Sequence, residues 1–163
     1  MYEYKVKIVK VVDGDTVDCD IDLGFGVCLK DERVRMMGID TPESRTSDEV
    51  EKVFGKAAKQ ALIGMLGETA VLKTQINKNG EDMKGKFGRI LGDFDCEHNG
   101  VMKGATEHLI DDGHAVSYFG GSKEEVLAAH MVNRRRLIDE GHIELTHEDA
   151  GLNEDLTDTD SVV

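Results

Sequence analysis

The chain has 163 residues and a formal charge of −13, with one proline, no tryptophan and 39% hydrophobic residues. That length predicts one domain, large enough to bury a core without disulfides or a structural metal. No apolar run approaches the ~20 residues that cross a bilayer. The first residues form no basic-then-apolar leader, and the three scattered cysteines, Cys19, Cys28 and Cys96, suit neither a disulfide scaffold nor a zinc cluster. The expectation is a cytoplasmic protein with reduced thiols.

Residues 2–9 alternate apolar and polar, which predicts a half-buried strand. Asp13-Gly14 signals a turn, and Val17, Cys19, Ile21 and Leu23 alternate with Asp18, Asp20 and Asp22 in a second strand. The three aspartates are the wet face of that strand. A calcium-loop reading fails, because Leu23 and Leu29 stand where such a loop needs Gly and Glu. Residues 32–39 predict a third strand. From Val50 to Leu66 apolar residues recur at helical spacing, with Thr46 and Glu49 as a capping box and Gly67 as the stop. Ala70–Ile76 and Phe87–Phe94 predict two further strands around the polar loop Asn77–Lys86. Asn99-Gly100 is a tight turn, Val101–Asp112 a short helix stopped by Gly113, and Ala115–Phe119 extended. A last helix starts at Ser122, capped with Glu125, and ends near Glu140. This order predicts an α+β fold: a five-stranded OB-type barrel with about three α-helices.

The tail is separate in composition. From Glu144 to Val163 there are seven acidic residues and no Lys or Arg, which leaves −6 on residues 1–143. The expected division is a domain over 1–143 and an acidic tail over 144–163, mobile or held by another surface. A solvated tail and a docking segment for a protein partner both suit that composition.

Chemistry-bearing residues gather at predicted strand ends. Asp15 follows the Asp13-Gly14 turn, and Arg35 lies inside the third strand. Pro42 keeps Thr41 out of helical conformation, so Asp40 and Glu43 are held apart by a stiff extended segment. Arg89 opens the fifth strand. Aspartate oxygens suit a hard cation such as Ca2+ or Mg2+, guanidiniums suit a charged phosphoryl group, and a further carboxylate can deprotonate a water. Turn chemistry with a buried Arg–Asp pair accounts for the same residues equally well.

Three segments also resemble a known family. Val12-Asp13-Gly14-Asp15-Thr16-Val17, Val34-Arg35-Met36-Met37-Gly38-Ile39-Asp40-Thr41-Pro42-Glu43 and Lys86-Phe87-Gly88-Arg89 are similar to the signatures of the staphylococcal nuclease (thermonuclease-like) family, in its order and spacing. The resemblance covers about residues 4 to 140. It implies an OB barrel and Ca2+-dependent hydrolysis of DNA and RNA at the P–O5′ bond, leaving 3′-phosphates, with Mg2+ or Mn2+ as less favoured cations. It implies that Asp15 and Asp40 hold Ca2+ through carboxylates and Thr41 through its carbonyl. Glu43 would be the general base or would position the attacking water, and Arg35 and Arg89 would grip the phosphate. Lys86 and Tyr118 would touch nucleic acid. Phe87 departs from the family's usual tyrosine, and the acidic charge departs from its basic secreted members. A nuclease-like module that binds nucleic acid or protein without cutting is the alternative, regulated through the acidic tail. The lack of an export signal would suit a phage or mobile-element protein.

Overall fold

The computed structural model describes residues 2–75, 81–84 and 88–152. The chain begins with three antiparallel strands, β1 (Glu3–Asp13), β2 (Thr16–Gly24) and β3 (Val27–Met36). Val6, Val17, Cys19, Ile21, Val34 and Met36 point inward, as their period-two spacing requires. A register shift between Ile8 and Lys10 lets β1 run on to Asp13; a bulge of this kind changes which side chains face the core. Val9 is therefore exposed, and Val11 and Val12 are buried. The aspartates of β2 face water: Asp18 takes a two-pronged contact from Arg33, at 2.8 and 3.1 Å. Asp20 accepts the Asp31 backbone N–H.

A two-residue strand, β4 (Ile39–Asp40), follows β3. Helix α1 (Glu49–Met65) lays Phe54, Ala58, Leu62 and Met65 inward. Its cap is Asp48, which accepts the N–H groups of Val50 and Glu51. Thr46 instead accepts the Asp48 N–H, so the predicted Thr46–Glu49 box is replaced by a cap two residues later. Strand β5 (Thr69–Thr74) pairs with β1, and β6 (Ile90–His98) pairs with β5. β6 also pairs in parallel with β3, through Val34, Arg35 and Met36 against Ile90, Leu91 and Gly92. That pairing closes a five-stranded barrel in the order β1-β2-β3-β6-β5, the predicted OB-like α+β fold. Leu72, Ile90, Phe94 and Leu109 complete its core.

Residues Val101–Gly104 form strand β7, not the first turn of a helix. Asn99 and Gly100 both have positive φ, 52° and 78°, the geometry that joins two strands in a hairpin, and β7 runs back along β6. Helix α2 (Ala105–Asp111) starts only after it, with no side-chain cap of its own. Asp93 supplies one from β6: its carboxylate accepts the Thr106 N–H at 3.2 Å and the Thr106 hydroxyl at 2.6 Å. Burial nevertheless pushes the Asp93 carboxyl above its ordinary value. Asp93→Ala should therefore cost about 1–2 kcal/mol of stability in denaturant unfolding, the usual worth of a lost helix cap.

Strand β8 (Val116–Ser117) pairs with β4. Helix α3 (Lys123–Asp139) is capped as predicted, with Ser122 accepting the Glu125 N–H. The chain then turns back. Ile143, Ala150 and Leu152 are buried with Phe54 of α1 and Leu137 of α3 in a second apolar cluster. Arg134 is buried there: it donates to the Ala150 carbonyl at 3.0 Å and lies 5.1 Å over the Phe54 ring. The boundary drawn at 143/144 falls inside this cluster, so residues 144–152 are held by the body; 153–163 lie outside the described residues. Among the described residues no helix is long and apolar enough to cross a membrane.

His114, just after α2, is half-buried, and its Nδ1 is buried without a hydrogen-bond partner among the described residues. Burial lowers its pKa, Asp112 opposes this, and His142 and Arg136 add to it. An unfolded histidine takes up its proton near pH ~6.5, the native one at lower pH. Stability contributed here is full above that pH and is lost as pH falls through the window below it. Unfolding in urea at about pH 7 and about pH 5.5 should show a smaller acid-side loss for His114→Leu than for the parent.

Candidate active site

The turn between β1 and β2 sets Asp15 beneath the end of β3. The Asp15 carbonyl accepts the Met36 N–H at 2.8 Å, and the Asp15 carboxylate is buried. One carboxylate oxygen accepts the Thr16 hydroxyl at 2.9 Å, and the other lies 3.3 Å from the Arg35 guanidinium. Arg35 is tied down further: its two terminal nitrogens donate to the carbonyls of Met36 and Ile39, at 2.6 and 3.1 Å. The guanidinium is thus fixed against three oxygens, two of them backbone carbonyls of the residues that follow it.

The segment after β4 is pinned at successive residues. Thr41 is buried, and a Cβ placed on Gly14 would sit 3.2 Å from its hydroxyl and 2.8 Å from Ala58 Cβ, so the turn, the segment and α1 meet with no space between them. The Ser44 hydroxyl donates to Asp13, and Arg45 lies 3.5 Å from the same carboxylate. Behind Glu43, helix α1 offers Gly55; a Cβ there would fall 2.2 Å from the Glu43 carbonyl oxygen. Only glycine lets the helix carry this backbone so closely. The Glu43 side chain itself is exposed. Partial burial raises its pKa first, and the surrounding negative charges of Asp15, Asp13, Glu51 and Asp40 raise it further. Four carboxylates around Glu43 make a negative field that opposes its ionisation.

Asp40 points its Oδ2 at a residue no motif indicated: His130 Nε2 lies 2.7 Å away, 90 positions along the chain. His130 is on the inward side of α3, in line with Val126, Asn133, Arg134 and Leu137. A histidine on an otherwise packed helical stripe was the one available signal.

Arg89 immediately precedes β6 and lines a cleft of about 490 Å³ with Asp13, Thr16, Arg33, Arg45 and Gly88. That cleft includes Asp13 and Thr16, which flank the β1–β2 turn, but not Asp15 itself. Tyr118 is exposed; its N–H donates to the Gly38 carbonyl at 2.9 Å. Its ring lines a separate cleft with Ser117, Phe119, Gly121, Glu125, Val126 and Ala129, which holds none of the other candidate site residues. Lys86 lies outside the described residues. Of the arginines on α3, Arg134 is the buried clamp and Arg136 pairs with Glu140 at 3.0 Å.

Among the described residues no group of three or more His, Cys, Asp or Glu side chains is placed to hold a metal. The donor chemistry still fits a hard cation. Asp15, Asp40 and the Thr41 carbonyl are all oxygen donors, and the crowded carboxylates that raise Glu43 are the field a cation would neutralise. These donors fall short of the ~6–8 oxygens calcium takes, so water and phosphate oxygens would make up the set.

Comparison with known proteins bears on the family of the chain. The family described as Staphylococcal nuclease homologue matches residues 33–136, more than half of the chain. The chain belongs to that family. Among curated relatives, Protein ParB of Escherichia coli is 34% identical over 90 residues, covering 55% of this chain and 41% of ParB. The Thermonuclease of Staphylococcus intermedius is 35% identical over 88 residues, covering 54% of this chain and 45% of that protein. Endonuclease YhcR of Bacillus subtilis (strain 168) is 27% identical over 122 residues, 72% of this chain but 9% of YhcR. The chain spans less than half the length of each of these relatives. Membership of the staphylococcal nuclease homologue family makes this a nuclease-like domain.

Proposed function

We propose that the chain is a Ca2+-dependent nuclease that hydrolyses DNA, and RNA with it, at the P–O5′ bond to leave 3′-phosphates. The observation that carries the reading is a fixed guanidinium beside a carboxylate cluster: Arg35 against Asp15 at 3.3 Å, and Glu43 within the field of Asp15, Asp13 and Asp40. In this reading Asp15, Asp40 and the Thr41 carbonyl hold the cation. When bound, Ca2+ polarises a phosphate oxygen as a Lewis acid. Glu43 accepts a proton from a water as that water's oxygen bonds to phosphorus. The P–O5′ bond breaks, and the 5′-oxygen leaves as an alcohol by taking a proton from solvent, to which Glu43 returns the one it accepted. Arg35 and Arg89 meet the charge that builds on the phosphoryl oxygens, a task for which pre-fixed donors are worth most. Arg35 is already held by two carbonyls, so it needs little reorganisation.

The test is purified full-length chain on supercoiled plasmid and on RNA with Ca2+, Mg2+ or EDTA. Nicking that needs Ca2+ and yields 3′-phosphate ends is the expected result. A folded chain that cuts neither substrate with any cation overturns it.

The charge of −13 favours one alternative, a module that binds a partner without cutting. Polyanion affinity rests on Lys and Arg, which acidic residues outnumber here, 33 to 20. Truncation after Leu152 keeps the second apolar cluster intact and removes only 153–163. Loss of partner binding with unchanged cleavage would mark a docking tail, and faster cleavage an inhibitory one.

A further inference from the structure

The Asp40–His130 contact ties a signature residue to one outside all three signatures, and its geometry is specific. We propose that His130 is a positioning residue for the cation site: by donating Nε2–H to Asp40 Oδ2, it fixes that carboxylate and leaves Oδ1 as the cation's oxygen. The proposal rests on the reading of Asp40 as a cation ligand.

The contact is 2.7 Å, and the His130 side chain is only 12% exposed, against 36% for Asp40. An ionised carboxylate only accepts, so the imidazole is the donor. Asp40 Oδ1 has no hydrogen-bond partner among the described residues, whereas both oxygens of Asp15 have partners within the site. Asp40 is also the less confined of the two carboxylates, so it has the more freedom to lose on binding. A fixed outer donor removes that freedom beforehand, and outer partners of this kind typically change metal affinity by about 10- to 100-fold.

The helix does not need this bond to stay in place. One turn further on, Asn133 Nδ2 donates to the Ala115 carbonyl at 3.2 Å, just before β8, whose Val116 pairs with Asp40 itself. Leu137 and Arg134 hold the far half of α3 in the second apolar cluster. The helix is thus anchored just beyond His130 by contacts that do not involve it, and the histidine's contact acts on the Asp40 side chain.

The test is calorimetric titration of Ca2+ into the full chain without nucleic acid, for the parent, His130→Gln, His130→Asn, His130→Ala and Asn133→Ala, with thermal unfolding in EDTA alongside. His130→Ala and His130→Asn should weaken Ca2+ binding by about 10- to 100-fold. His130→Gln carries a donor at a reach like that of Nε2 and should recover most of the affinity; the shorter Asn should not. Asn133→Ala should lower the melting temperature and leave the Ca2+ Kd unchanged. Equal Kd values for Gln and Asn at position 130, or for Ala and the parent, overturn the proposal. So does an Asn133→Ala chain that loses as much affinity as His130→Ala, since that would be general loosening of α3. A parent that binds no Ca2+ overturns the cation reading of Asp40 together with this one. A parent that binds Ca2+ and fails to cut nucleic acid overturns the nuclease reading alone.

Discussion

Glu43→Gln should reduce nucleic-acid hydrolysis by about 10²–10⁴-fold, the usual worth of a positioned general base, while the protein becomes no less stable. The two effects have opposite signs for one physical reason. Burial and the charges of Asp15, Asp13, Glu51 and Asp40 hold the Glu43 carboxyl above its ordinary value. A carboxylate raised in this way binds its proton more tightly folded than unfolded, so ionising it opposes folding once pH exceeds the unfolded value. An amide of the same shape relieves that opposition. Melting at about pH 7 in EDTA should therefore give a melting temperature for Glu43→Gln equal to or above that of the parent. Activity within a few-fold of the parent would remove Glu43 from the chemistry. A marked loss of stability would mean that its carboxylate has a structural partner instead.

Gly55→Ala should damage both activity and fold, and Gly64→Ala in the same helix should stabilise. At Gly55 a Cβ would meet the Glu43 carbonyl oxygen at 2.2 Å, its carbon at 2.3 Å and the Ser44 nitrogen at 2.6 Å. All three atoms are backbone, so the segment bearing Glu43 must shift. Overpacking of this kind costs about 1–3 kcal/mol, and a displacement near 1 Å at a reacting group can cost about 100-fold in rate. At Gly64 nothing lies within 4 Å, and alanine in an open helical position gains about 0.5–1 kcal/mol over glycine. Assay and thermal melting of the two variants side by side check both signs. If Gly55→Ala keeps full activity, α1 does not set the position of Glu43.

Much of the barrel was legible because its strands alternate cleanly. Val17, Cys19 and Ile21 against Asp18, Asp20 and Asp22 could form only one kind of element, and the structure buries the first set to 2% exposure or less. The residues of Val101–Gly104 were less clear: two apolar residues before a helical stretch read as its first turn. The Asn99-Gly100 turn carried the deciding information, since two positive φ values commit the chain to a hairpin. The cap of α2 was invisible locally because Asp93 comes from another strand. At the candidate site the motif residues are contiguous or held by one turn, so sequence order reveals them. His130 reaches Asp40 across 90 positions, and Gly55 matters only through the backbone that lies on it. Such contacts depend on tertiary approach and leave no local spacing. Within the acidic stretch Ala150 and Leu152 are buried with Phe54 and Leu137, but two buried apolar residues among many charges leave no periodic signal in the sequence.

The parallel seam between β3 and β6 also bears on how the protein reaches its working form. Arg35 sits in that seam opposite Leu91, and Arg89 lies one residue before it starts. The proposed reaction needs both arginines, and the strand that carries one joins the strand that follows the other only across a long stretch of chain, with β5 paired between β1 and β6. Pairings of this separation carry the larger loop-closure penalty and tend to form late. The early hairpin of β1, β2 and β3 places Asp15 beside Arg35 without completing the phosphate grip. If the proposed hydrolysis holds, its recovery during refolding should thus lag behind recovered β-structure, and would serve as a clock for barrel closure.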